Sequence, residues 1–319
     1  MNITVIGCGR WGSCLAWYFS TSGHDVLMYG RKDSESYKEL SQTYKNEYLT
    51  MPANVRFTSD LTEALTRSDV IIVSIAAQNT VSLFDEIAKT NVKNKIYVLC
   101  MKGLIESDGK RLSEVATERL DYTSRVAVWV GPGHVENFTK KIPSCMVISS
   151  SDIELSQGLC KDFSSDIIRF YHSDDLIGTE IGAASKNVMG ICAGMLDGYS
   201  LSTLKGPLMA RGPREISRLV EKMGGDIMSV YGLSHIGDYE ATLFSHHSHN
   251  RAFGEAFAKK ENYKYLAEGY STTKALMVLA KKYSTDMPIT SALYSILFEN
   301  ADPDKTVKNL FLRSLKSEF

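Results

Sequence analysis

A doubly wound α/β sheet followed by an all-α domain is the fold class this sequence predicts, and three observations predict it. Short runs rich in Val and Ile alternate with helix-length amphipathic segments through the first half of the chain. A glycine-rich turn, Gly7-Cys-Gly9-Arg-Trp-Gly12, directly follows the first of these runs. After about residue 178 the strand-like runs give way to apolar residues spaced three and four apart.

Taken in order, strands are predicted over 2–7, 25–29, 69–76, 96–101, 126–130, 145–149 and 167–171. The stretch Asp69-Val-Ile-Ile-Val-Ser-Ile is nearly continuous in apolar residues, as expected of a parallel strand covered on both faces. The helix between the first two strands is expected to stop at Ser22-Gly23. In the second half, Ile216, Leu219, Val220 and Met223 make one helical stripe and Leu276, Leu279, Ala280 and Tyr283 another. Ile289, Leu293, Ile296 and Leu297 make a third, with Pro288 at a first-turn position. These stripes argue for helices on a common core and carry no chemistry. The expected division is a dinucleotide-binding domain over 1–178 and an all-helical domain over 179–319. No flexible linker separates them, so a cleft between the two is the natural ligand site.

Composition narrows the function classes. The 319 residues carry a formal net charge of −1, so no global field draws nucleic acid or an anionic membrane. No uncharged apolar stretch reaches the ~18 residues needed to span a bilayer. Cys8, Cys14, Cys100, Cys145, Cys160 and Cys192 are scattered, with no paired or zinc-type spacing, which argues for a reducing, cytoplasmic setting.

The glycine loop is the strongest single motif. Gly7 permits a tight turn, Gly9 lets backbone approach a pyrophosphate, and Gly12 lets the next helix pack on the strand. The helix N-terminus then faces the phosphates with its dipole. This is the Rossmann arrangement for a nicotinamide dinucleotide. At the end of the second strand, Tyr29-Gly30-Arg31-Lys32 stands where an acid would select NAD. A cation there favours the 2′-phosphate of NADP(H), with NAD(H) and a plain pair of solvated surface charges as the alternatives.

From this loop onward an ordered set of motifs accumulates. It runs through Gly7–Ala16, Asp69–Ile75 with Gln78, Met101-Lys102-Gly103-Leu104, Val130-Gly131-Pro132-Gly133 and Ala184-Ser-Lys186-Asn187-Val188. Gly237-Asp238 with Thr242, Ser248-His249-Asn250-Arg251, Glu268-Gly269-Tyr270, Met287-Pro-Ile-Thr and the tail Leu315-Lys-Ser-Glu complete it. Nearly end to end, the chain resembles the soluble NAD(P)-dependent glycerol-3-phosphate dehydrogenase family. The resemblance implies reversible reduction of dihydroxyacetone phosphate, a small anionic ketone, with a homodimer as a compatible assembly. By the same resemblance Lys186 is the general acid/base, Lys102 helps place substrate and cofactor, and Asp238 and Thr242 orient the lysine. The chemistry is reasonable, because hydride attack makes an alkoxide that a nearby ammonium stabilises and protonates. Implied cofactor contacts are Gly7, Gly9, Arg10, Trp11, Gly12, Arg31, Lys102 and Val135, with Leu266 and Glu268 at the adenine end. Implied substrate contacts are Lys102, Gly131, Gly133, His134, Lys186, Asp238, Ser248, His249, Asn250 and Arg251.

Three departures from the family pattern cluster at the substrate end. Gly133-His134 follows Gly131-Pro132 where the family has Ser, Thr or Asn. His249 replaces an arginine that serves the substrate phosphate and the cofactor, and Ser185 replaces a leucine. Arg and His are not equivalent, since a guanidinium is a permanent fork and imidazole is mostly neutral at pH 7. Either the parent reaction persists, or the pocket takes a three-carbon oxoalkyl phosphonate or another phospho-ketone. A different class, a cofactor sensor without turnover, would have been free to lose Lys102, Lys186, Asp238 and Thr242. His246, His247 and His249 resemble metal ligands, but they coincide with the substrate motif, so no metal is expected. No glycine-elbow signature supports Ser-His-Asp catalysis.

Overall fold

The computed structural model describes residues 1–315 and 317, so Lys316 and Glu318 of the tail motif lie outside the described residues. The first part of the chain runs β1 (Asn2–Ile6), α1 (Arg10–Thr21), β2 (Asp25–Tyr29), α2 (Glu35–Thr43), β3 (Arg56–Thr58), α3 (Leu61–Arg67) and β4 (Val70–Val73). It continues through α4 (Thr80–Lys89), β5 (Ile96–Leu99), α5 (Leu112–Arg119), β6 (Arg125–Val130), α6 (Val135–Phe138), β7 (Ser144–Ser149), α7 (Ile153–Phe163) and β8 (Ile168–Ser173). The helical part comprises α8 (Leu176–Gly198), α9 (Lys205–Lys222), α10 (His249–Ala258), α11 (Glu268–Lys282), α12 (Pro288–Phe298) and α13 (Pro303–Phe311).

The strands form one sheet in the order β3-β2-β1-β4-β5-β6-β7-β8. Neighbours are parallel except β6 and β7, which are antiparallel. The order reverses at β1, and ligands of such sheets bind outside the carboxyl ends of the strands at that point. Alternation decides the layers. Ile3 and Val5 of β1, Val70 and Ile72 of β4, and Ala127 and Trp129 of β6 enter a core beneath α1 and α7. Ile6, Ile71, Val73, Val128 and Val130 enter the opposite core beneath α4 and α5. Both faces are covered, as the continuous apolar run at 70–73 requires.

Two expectations are corrected. β3 has no counterpart among the predicted strands; it is a three-residue edge strand, too short for a periodic signal. β4 ends at Val73 rather than 76, because the chain leaves the sheet where Ser74 meets the glycine loop.

The helical part centres on α8, which is about 34 Å long at 1.5 Å per residue. Small residues let its neighbours approach backbone to backbone: a Cβ at Gly194 would strike the Arg251 carbonyl, and one at Gly254 the Ile191 carbonyl. The predicted stripes pack here, with Ile216, Leu219, Val220, Leu276, Leu279, Leu293 and Ile296 in one core. This body is tied to the sheet by Glu180 of α8, whose carboxylate accepts bonds from the Ser113 amide and the Arg111 guanidinium, both at 3.0 Å.

Candidate active site

The glycine loop leaves β1 and opens α1 at Arg10. Gly7 has φ +114°, and a Cβ there would collide with the Ser74 carbonyl. A Cβ at Gly12 would collide with the Gly7 carbonyl, so α1 packs directly on the turn. Beside Gly9, by contrast, the space a Cβ would occupy is open. Some helices are closed by side-chain caps, such as Asp60 on α3 and Asp152 on α7. At α1 the cap position is Gly9, so no side chain covers the first-turn amides. This cradle is what a pyrophosphate requires. Trp11 packs on Phe138 of α6 at 5.9 Å between ring centroids, which brings Val135 beside the loop.

Across the cleft, residues from four separate segments converge. Lys102 Nζ lies 2.6 Å from Asp238 Oδ2 and donates to the Gly131 carbonyl at 2.6 Å. Lys186 Nζ lies 2.9 Å from the same Asp238 oxygen and donates to Thr242 Oγ1 at 2.8 Å. Asp238 is 1% exposed, and its one oxygen is shared by the buried Lys186 and the partly exposed Lys102. Burial pulls the Lys186 pKa down to about 8; Asp238 opposes this and Lys102 adds to it. Lys186 is therefore a group that exchanges its proton near neutrality, which an exposed lysine does not do. Asn187 Nδ2 donates to the Lys102 carbonyl at 2.7 Å and so fixes the first lysine to the helix that carries the second.

At the substrate end, His134 and His249 are both biased toward the neutral ring. His134 Nε2 donates to the Ala241 carbonyl at 3.0 Å, leaving Nδ1 as an acceptor. Burial, then the nearby Arg10 and Lys186, push its pKa down to about 4. His249 Nδ1 meets the Tyr263 hydroxyl at 2.7 Å, and its ring lies 5.1 Å from that of Tyr265. Burial and Arg10 hold its pKa below the usual imidazole range. The permanent cation near both rings is Arg10. It pairs with Glu136 at 2.7 Å, reaches the His247 carbonyl at 3.3 Å and lies over Tyr48 at 5.1 Å. Ser248 caps α10 by accepting from the Arg251 amide, and Asn250 Oδ1 accepts from the Gly269 amide at 2.9 Å.

The structure thus brings Lys102, Gly131, Lys186, Asp238 and Thr242 together, with Gly133 and His134 entering from the next turn. It does not bring Arg251 there. That guanidinium pairs with Asp197 at 2.7 Å, eleven residues along α8 from Lys186 and so about 16 Å away along the axis. Lys205 shares the same carboxylate at 2.6 Å, which marks a buried structural ion cluster. Glu268 sits beside the first lysine. Its carboxylate accepts from the Ala77 amide at 3.2 Å and lies against Gly103, next to Lys102. Leu266 and Arg31 are exposed, and Arg31 is 4.0 Å from Asp33. Asn187, Glu136, Tyr48, Tyr263 and Tyr265 were not singled out from sequence. Only Asn187 carried a signal, its place directly after Lys186.

A Rossmann cradle facing two lysines that share one buried carboxylate defines a nicotinamide-dinucleotide-dependent oxidoreductase acting on CH–OH groups. The models for the N-terminus and C-terminus of NAD-dependent glycerol-3-phosphate dehydrogenase match residues 2–156 and 175–308. Glycerol-3-phosphate dehydrogenase [NAD(P)+] of Chlorobium phaeobacteroides is 36% identical over an alignment 335 positions long, covering 100% of this chain and 99% of that protein. The protein of the same name from Staphylococcus aureus strain JH9 is 36% identical over 331, covering 99% of each. The crystal structure of glycerol-3-phosphate dehydrogenase from Coxiella burnetii superposes with a TM-score of 0.90 at 26% identity, over 98% of this chain and 99% of that one. The chain belongs to the NAD-dependent glycerol-3-phosphate dehydrogenase family.

Proposed function

We propose that this protein catalyses the reversible NAD(P)H-dependent reduction of dihydroxyacetone phosphate to sn-glycerol 3-phosphate. The observation that carries the reading is Lys186, buried, held at 2.9 Å from Asp238 and 2.8 Å from Thr242, with its pKa lowered to about 8. A cofactor sensor has no use for a lysine tuned to exchange protons. The names of the relatives support the phosphate substrate and the use of either nicotinamide dinucleotide. Neither they nor the family models point to a phosphonate.

The cradle at Gly7, Gly9 and Gly12 suits the cofactor pyrophosphate, with Trp11 and Val135 beside it, and Arg31 suits a 2′-phosphate. When bound, the reduced nicotinamide supplies the hydride that converts the carbonyl to an alkoxide. Lys186 then holds the proton that this oxygen takes up. Asp238 keeps the ammonium aimed, and Lys102 adds a second positive charge where the alkoxide develops. His134, with only Nδ1 left, suits a substrate hydroxyl rather than a phosphate. Arg10, with Ser248, His249 and Asn250 nearby, is the cation for the anionic end. The division at 178 is supported by α8, which starts at Leu176 and carries the second body. The six unpaired cysteines suit a cytoplasmic setting, and no helix among the described residues is long and apolar enough to cross a membrane. The test is NADPH oxidation with dihydroxyacetone phosphate beside a 2-oxopropyl phosphonate. A clear preference for the phosphate is expected, and a preference for the phosphonate overturns the reading.

A further inference from the structure

Beside the lysine cluster lies a buried pair that the chemistry above does not use. His235 is fully buried, and so is the Tyr239 ring, at 4.9 Å between centroids. His235 Nδ1 is 2.8 Å from the Gly182 carbonyl, and the Tyr239 hydroxyl is 2.7 Å from Nε2. A carbonyl only accepts, so Nδ1 carries the proton and Nε2 is left to accept from the tyrosine. Burial agrees, pushing the imidazole pKa down to about 4, with Lys186 opposing charge and Asp238 favouring it. Both ring nitrogens of this neutral imidazole are satisfied within the protein.

What the imidazole grips is specific. Gly182 lies one helical turn before Lys186 on α8, so its carbonyl is the one that accepts the Lys186 backbone amide. The His235 ring takes the second lone pair of that oxygen. The His235 backbone carbonyl, meanwhile, accepts the Asp238 amide at 3.1 Å. One residue therefore holds the backbone under the proton-carrying lysine with its side chain and the backbone of its carboxylate partner with its main chain. Tyr239, next in sequence to Asp238, closes the loop by holding the far side of the ring.

We propose that His235, locked in the Nδ1–H form by the Gly182 carbonyl and held at Nε2 by Tyr239, is a positioning residue that sets the Lys186–Asp238 separation. The inference rests on the dehydrogenase reading for its kinetic consequences and on geometry alone for its tautomer. His235→Asn keeps a donor near the Nδ1 position, whereas His235→Gln carries its amide near the Nε2 position and cannot reach Gly182. With dihydroxyacetone phosphate and NADPH, His235→Gln and His235→Ala should lose about 100-fold in kcat, the cost of roughly 1 Å of misplacement. His235→Asn should stay within about fivefold of the natural protein, and KM for NADPH should be unchanged in all three. Equal losses for Asn and Gln, or a loss confined to KM, overturn the proposal. Where Ala or Gln fails to fold, nitrogen NMR of the natural protein carries the test. His235 should stay neutral and Nδ1-protonated from pH 5 to 8 (roughly, given its depressed pKa), and an Nε2–H or charged ring overturns the proposal. The natural protein's own turnover of dihydroxyacetone phosphate separates the two failures. If it is absent, the dehydrogenase reading falls and the tautomer still decides the fate of the lock.

Discussion

The glycine loop and the lysine cluster face each other across one cleft but are built by opposite means. The loop is six consecutive residues whose positions follow from local backbone rules: a positive φ at Gly7, an open side at Gly9, close packing at Gly12. The cluster is assembled from residues 102, 131, 186, 238 and 242, and none of them has meaning until the helical body docks on the sheet. The first is a shape that admits a ligand. The second is an electrostatic arrangement that acts on it. Damage to each should therefore have a different signature.

The largest effect is expected at the cluster. Lys186→Ala should lower kcat by about 10²- to 10⁴-fold, the range for removing a general acid, while NADPH binding measured by fluorescence titration stays unchanged. Weakened cofactor binding would contradict the separation of the two regions. Gly12→Ala should do the reverse, because its Cβ meets the Gly7 carbonyl. A loss of about 1–3 kcal/mol of stability, the usual cost of overpacking, should appear as a lower Tm together with lost NADPH affinity. The pH profile sharpens the comparison from the other side. Reduction needs the Lys186 ammonium, so its kcat should fall as pH rises through about 8, while alcohol oxidation, which needs the free amine, should rise through the same value. A flat profile between pH 7 and 9 (roughly, one unit either side of that pKa) would remove Lys186 from the proton transfer. The smallest effect belongs to Arg31→Ala. It should raise KM for NADPH by about tenfold, near the value of one charge-assisted hydrogen bond, and leave KM for NADH nearly untouched.

Legibility follows the same division. The loop could be read directly because its information is sequential, and so could the helical stripes that built the α8 core. β3 and α6 could not, since three or four residues carry no period. The lysines were legible only through an ordered family pattern, since their partners lie up to 136 positions away (Lys102 to Asp238) and no local rule pairs them. Arg251 shows why adjacency misleads. Ser248, His249, Asn250 and Arg251 begin a helix, where successive residues turn about 100° apart. His249 thus meets Tyr263 while Arg251 meets Asp197. The substitutions at 134 and 249 were visible as letters. Which nitrogen each ring has left to offer was not, because the Ala241 carbonyl and the Tyr263 hydroxyl decide it.

The single antiparallel pair, β6 against β7, has a consequence for traffic through the molecule. β6 ends at Val130 on the ligand-facing rim, and β7 starts back from that rim at Ser144. β8 repeats the direction of β7, so the chain leaves the sheet at the rear. Setting out from there, α8 has ten residues, about 15 Å, in which to travel forward before it reaches Lys186. An all-parallel sheet would have released the chain at the front and sent that helix away from the cleft. One reversal of strand direction is thus the itinerary that delivers the proton carrier to the rim where the first glycine turn already waits.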